Sequence, residues 1–234
     1  MMERMREHCV AQVFMLLLLS AASQVFAKAP LSDSPQPTGG KPIPCEEIQV
    51  NGATTTYNRC DYRPGVVAPE SGVRQFFSAF GAQLHIDGAK LRTVTIKSGL
   101  TGINLRFEQV YENRRVFGSE VVVTSDSDGR IRKIRSSYFP IERVLGNGAP
   151  TVSAVAAEAV GLVAIGKSGG VLPKLRQSTR SELIWFPVAG TGVALLAWEL
   201  MIFGQTPFLG DYLTLVDANS GVLLHQEDRL VMGN

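Results

Sequence analysis

The chain has 234 residues, of which 45% are hydrophobic and 19% charged, and a formal net charge of +2. That composition supplies apolar material for one large or two small globular domains and excludes disorder throughout. The near balance of charge gives a nucleic-acid partner no support.

The first residues place Arg4 and Arg6 before an apolar run from Val13 to Leu19, then Ala21, Ala22 and the small-residue site Val25-Phe26-Ala27. This pattern predicts a secretory signal peptide over residues 1–27, cleaved after Ala27, with Ala22 as the second choice. The run is too short to cross a bilayer, and no later stretch is long enough either, so no membrane span is expected. The expected location is secreted, periplasmic or extracellular.

Cys9 would leave with the signal, and the mature chain would keep Cys45 and Cys60, an even number in an oxidising compartment. A Cys45–Cys60 disulfide is expected; two independent thiols are the alternative. Between them Asn51-Gly52 sits amid Ile48, Val50, Thr54 and Thr56, which suits a stapled hairpin. Residues 28–66 thus comprise a linker rich in Pro, Ser and Gly, followed by this hairpin.

A third segment, residues 67–145, opens at Pro69. Val73, Phe76, Phe77 and Phe80 fall at i, i+3, i+4 and i+7, and Gly81 is the expected stop of an amphipathic helix. Strands follow: Leu91 to Ile96, then Leu105, Phe107, Gln109 and Tyr111 in alternation with Arg106, Glu108 and Val110. A turn around Asn113 leads into Val116-Phe117 and Glu120 to Thr124, and Asp126 to Gly129 turns back into Arg130 to Ile134.

Residues 146–234 repeat the scheme. Pro150-Thr151 and Ser153 begin an alanine-rich helix with Val155, Ala159, Leu162 and Val163 as its apolar face, ended by Gly166. Strands follow at Leu183 to Phe186, Val193 to Phe203 and Tyr212 to Val216, the last returning through Asp217 to Gly221 into Val222 to Leu224. The two final hairpins align without a gap, with Val121, Val123, Gly129 and Ile131 on Leu213, Leu215, Gly221 and Leu223. The predicted fold is α+β, two copies of a helix on an antiparallel sheet; convergent turn chemistry is the alternative account of the alignment.

The run from Leu105 to Val123, with Phe107, Gln109 and Tyr111 on an aromatic strand and then Val116-Phe117-Gly118 before a valine-rich strand, resembles the pro-segment shared by thermolysins and fungalysins, the FTP domain. The second half resembles the PepSY domain that follows in those precursors, through the helix from Ser153, the strand around Trp198, and Asp217 to Gly221. The resemblance implies two consecutive cystatin-like units. It also implies a non-catalytic propeptide that binds, inhibits and assists folding of a thermolysin-like zinc metalloprotease, as an inhibitor and intramolecular chaperone of a zymogen.

In that family a catalytic domain with His-Glu-x-x-His follows, whereas the sequence here ends at Asn234 and its mature part has only His85 and His225. Three expectations stay open: a pro-segment acting in trans, the front part of a larger zymogen acting in cis, and a stand-alone PepSY-type envelope binding module. The chosen candidate contacts with the catalytic domain are Arg114, Arg115, Phe117 and Arg229, the first three on a polar loop from Asn113 to Gly118 that no core demands.

Other motifs are expected to be coincidental. Gly161 to Ser168 satisfies a phosphate-loop pattern, but its first Gly lies inside a helix. Gly166-Lys167-Ser168-Gly169-Gly170 matches a nucleophile elbow, but it leaves a helix instead of opening one. Asp126 and Asp128 fit the start of a calcium loop, yet Arg135 stands where its glutamate should be. No enzyme activity, cofactor or metal site is expected. Arg130, Arg132, Lys133 and Arg135 are expected on a solvated strand edge, with a basic docking surface as the alternative.

Overall fold

The computed structural model describes residues 43–65, 69–146, 148–166, 171–205 and 207–230. The predicted signal peptide, most of the linker and Lys167 to Gly170 lie outside these residues.

The fold is mixed α+β and mostly sheet. A hairpin of β1 (Cys45–Asn51) and β2 (Thr54–Cys60) precedes helix α1 (Pro69–Leu84), a single 3-10 turn at Gly88–Lys90, and four strands. These are β3 (Leu91–Gly99), β4 (Gly102–Tyr111), β5 (Arg114–Ser125) and β6 (Ile131–Ser136). After β7 (Arg143–Leu145) come helix α2 (Ala154–Gly166), β8 (Arg180–Val188), β9 (Val193–Gly204), β10 (Gly210–Asp217) and β11 (Leu223–Asp228). Both halves are therefore a helix followed by a four-stranded antiparallel meander.

The expected hairpin forms, with its turn at Gly52-Ala53, one residue later than the Asn51-Gly52 dipeptide. Asn51 pairs with Thr54, and Gly52 takes the left-handed φ of 55° that a two-residue turn with glycine at its first position requires. Cys45 and Cys60 are its closing pair and form a disulfide. The hairpin is more than a staple, because Thr55, Thr56 and Tyr57 pair with Ser136, Arg135 and Ile134 of β6. This corrects the expected strand edge: β6 lies inside the sheet between β2 and β5, and the hairpin covers the edge it would otherwise expose.

Helix α1 buries Val73, Phe76, Phe77 and Phe80 as its periodicity predicts. Tyr62 meets Phe76 and Phe80 edge-on, with ring centroids 5.1 and 5.5 Å apart, and Phe77 meets Phe107 of β4. The expected stop at Gly81 is one turn too early. The chain turns at His85 (φ 54°), whose N–H donates to the Ala82 carbonyl while the Ile86 N–H donates to that of Gly81, both bonds of a Schellman cap. Gly81 serves instead to let the returning Ile86 carbonyl lie against the helix.

Helix α2 starts at Ala154 with Ser153 as its cap, the hydroxyl oxygen accepting from the Ala156 N–H. Its buried residues are Ala157, Gly161, Ile165 and Gly166, so of the face expected from the sequence Leu162 packs against the core while Val155, Ala159 and Val163 point to solvent. Val155 and Val163 are 76% and 53% exposed. The helix is apolar all round, and a periodicity argument has no polar side to orient it. What decides the matter is distance: a Cβ on Gly161 would stand 2.6 Å from Ile202 Cδ1 and 3.1 Å from Thr214 Cγ2. The helix lies on the sheet through small residues, where larger ones could not fit.

The gapless alignment of the two hairpins is also corrected. Val121 and Val123 face α1, but Leu215 packs on the far side of its sheet with Ile184 and Ala197, while Val216 faces α2. The turn closes between Asp126 and Arg130 in the first hairpin and between Asp217 and Val222 in the second, one residue longer. A one-residue offset reverses the face of every side chain.

Candidate functional site

Of the residues singled out in the first half, Phe107 lies in the core under α1 and the others converge on the seam between the halves. Strand β4 pairs with β5 in register at Glu108–Glu120 and again at Val110–Arg115, so Gln109 faces a bulge spanning residues 116–119. Gln109 is fully buried and replaces the missing ladder. Its amide oxygen accepts from the Ser119 hydroxyl (2.5 Å) and the Phe139 N–H (2.9 Å), and its amide nitrogen donates to the Phe139 carbonyl (2.7 Å). Gly118, at φ 66°, makes the turn out of the bulge, where any side chain would be strained.

The bulge carries Val116 and Phe117 into the second half. Val116 pairs with Trp185 in the one parallel register between β5 and β8 and is buried with Trp185, Ala194, Leu196 and Ala218. Phe117 lies over Ile184, Ala197 and Leu215 beside Phe186 and Leu224, and its ring is 6.3 Å from that of His225. Tyr111 closes the seam from the other side: its carbonyl accepts from the Trp185 indole (2.9 Å) and its ring meets that indole edge-on.

Arg114 and Arg115 are therefore not on a free loop. The turn is Glu112–Asn113, both with positive φ, as a type I′ two-residue turn requires, and β5 starts at Arg114. Arg114 donates to the Gly148 carbonyl and lies over the Trp185 ring at 5.8 Å. Arg115 pairs with Glu199 at 2.6 Å and Glu182 at 3.3 Å, its side chain 21% exposed. Burial works against its charge, but the two carboxylates outweigh burial and hold the guanidinium protonated beyond its ordinary range. These side chains tie the halves together; Arg229 alone of the four candidate contacts stands at the surface, 50% exposed and bonded to Glu227, whose carboxyl that bond lowers below its usual range.

In the second half, Trp198, Asp217 and Gly221 set the entry of α2. The Trp198 indole donates to the Val152 carbonyl (2.7 Å), and the Ala218 carbonyl accepts from the Thr151 and Val152 N–H groups. The Asp217 carboxylate accepts from the Asn219 and Ser220 N–H groups, and the Gly221 N–H donates to the Asp217 carbonyl. The three residues act as a clamp on the helix start. The sequence marks them as a pattern, but nothing in their spacing shows that they hold the helix.

A groove of about 720 Å³ runs along the C-terminal end of α1, lined by Phe77, His85, Ile86, Lys90, Tyr138 and Ile141. Burial pushes the Tyr138 hydroxyl up to about 12, so it is protonated at any physiological pH. Among the described residues no group of three or more His, Cys, Asp or Glu stands where it could hold a metal ion, and no helix is long and apolar enough to cross a membrane.

Residues 90–138 match the family described as Fungalysin/Thermolysin Propeptide Motif. No curated protein matches the chain. Among solved structures, the chain is similar to the Bacillus megaterium YpeB C-terminal domain, with 12% identity, a TM-score of 0.35, and 75% of this chain and 70% of that one covered.

Proposed function

We propose that the protein is a non-catalytic pro-segment that binds the catalytic domain of a thermolysin-like zinc metalloprotease, inhibits it and assists its folding. The observation that carries this reading is the match over residues 90–138, the segment that holds Gln109, the bulge and Val116 to Gly118. In this reading the two halves are consecutive FTP and PepSY units of cystatin-like form, reached by secretion with cleavage after Ala27. Binding the native form of a slow-folding partner stabilises that form by mass action, and the same contact can cover its cleft.

The test adds the mature protein, residues 28–234, to the mature catalytic domain of the thermolysin-type metalloprotease secreted by the same organism. Dose-dependent inhibition and a higher yield of active enzyme on refolding are expected. A folded sample that does neither overturns the reading.

A further inference from the structure

Helix α2 has 13 residues and a single charged side chain, Glu158, whose carboxylate is engaged by the Thr179 hydroxyl at 2.6 Å. Its buried side is complete, held on the sheet by Ala157, Gly161 and Ile165. Its other side presents Val155 at 76% exposure and Val163 at 53%, with Ala156 and Ala159 between them also exposed. Just beyond its end, Val171 and Leu172 are each 58% exposed. A helix that is apolar all round belongs in an interior, and among the described residues this one has protein on one side alone.

We propose that the stripe Val155, Ala156, Ala159 and Val163 docks into an apolar groove on the protease catalytic domain. This inference rests on the pro-segment reading and assigns the contact surface within it.

Two other occupants fit the face poorly. A helix lying in a lipid surface carries lysine or arginine along its polar face, whereas the one charged side chain of residues 154–166 is Glu158. A second copy would meet it helix against helix. The exposed face is about 20 Å long and about 10 Å wide, so such a crossing buries only some hundreds of Å², far below the roughly 1,200–2,000 Å² of a stable complex. A groove that encloses the helix covers more of it and its flanks, and reads the spacing i, i+4, i+8 directly. The alanines at 156 and 159 let a groove wall approach closely. The helix is also fixed before any partner arrives, through the Ser153 cap, the Trp198 bond to Val152 and the Ala218 carbonyl, so binding it loses little conformational freedom.

The experiment compares full mature protein with the double variant Val155→Glu and Val163→Glu, and with Lys97→Glu, an exposed position on β3, as a surface-charge control on the first half. Melting temperature, mass in solution by light scattering, and inhibition of the mature catalytic domain are measured for each. The double variant is expected to melt with the wild type and to need at least tenfold more protein for half-inhibition, while Lys97→Glu inhibits like the wild type. Ala159→Arg, placed between the two valines, is expected to show the same loss by itself.

If the folded double variant inhibits within twofold of the wild type, the site is wrong and the pro-segment reading stands. If the wild type is a dimer that the double variant dissolves, the face is covered by a second copy and the inference fails. If the wild type does not inhibit at all, the reading fails and this inference fails with it.

Discussion

Helix α1 turns Ser71, Arg74, Gln75 and Ser78 to solvent, whereas α2, in the equivalent place in the second half, turns out Val155, Ala156, Ala159 and Val163. The sheets differ in the same sense. The outer face of the first is laced with ion pairs across β3 to β6, Arg92 to Glu108 at 2.6 Å, Arg106 to Glu120 at 2.7 Å and Arg135 to Glu120 at 3.1 Å. The outer face of the second buries Ile184, Ala197 and Leu215 under Phe117, Phe186 and Leu224. The same chain order thus makes one half that is finished toward water and one half with apolar surface left over. A sheet with one wet face needs alternation, which β6 shows as Ile-Arg-Lys-Ile-Arg-Ser, while β9 and β10 are apolar on both faces.

The contrast can be broken most severely through the first core. Phe107→Ala removes a ring that is 1% exposed, at about 3–5 kcal/mol. The chain's two tryptophans, Trp185 and Trp198, both lie in the second half, so their fluorescence reports that half and, through Trp185, its seam with the first. If β5 couples the halves, the tryptophan signal of this variant shifts to lower denaturant together with the far-UV signal. Two separate transitions would show that the halves are independent.

Reduction of Cys45–Cys60, which closes a loop with a sequence separation of 15, is expected to remove up to about 3 kcal/mol and to loosen the cover over β6. Denaturation with and without reductant measures it, and hydrogen exchange at Ile134 to Ser136 locates it.

Gln109→Leu leaves the Phe139 carbonyl and the Ser119 O–H without their partner, while the Phe139 N–H keeps the Ser119 hydroxyl oxygen at 3.2 Å, at about 1–3 kcal/mol. Gly161→Ala pushes a methyl toward Ile202 and Thr214 at a cost of roughly 1–3 kcal/mol, the value depending on how far Ile202 Cδ1 can yield. The counterpart change on the outside of the same helix, Ala159→Leu, should shift stability by under about 0.5 kcal/mol. Equal losses at 159 and 161 would erase the two-sided reading of α2.

The smallest effect belongs to the charged sheet face. Arg106, 60% exposed, pairs with Glu120, and Arg106→Ala should change stability by about 0–1 kcal/mol, less at high salt. A larger loss, measured by thermal melting at low and high salt, would mean that the ion-pair ladder and not the core sets the stability of the first half.

Local chemistry was legible in the sequence wherever the physics is local. The hairpin turns opening at Gly52 and at Glu112, the buried phenylalanines of α1, the cap at Ser153 and the cysteine pair follow from φ restrictions, helical periodicity and redox setting, all of which act within a few residues. The tertiary structure decided the rest. Which side of an all-apolar helix faces inward depends on the space above Ile202 and Thr214. Whether β6 is an edge depends on a hairpin attached some seventy residues earlier in the chain. The register of β10 against β9 sends Leu215 away from α2, and the arginines at 114 and 115 find their partners only because the Gln109 bulge brings β5 beside β8. These outcomes are set by contacts between distant segments, and pattern within a short window carries no information about them.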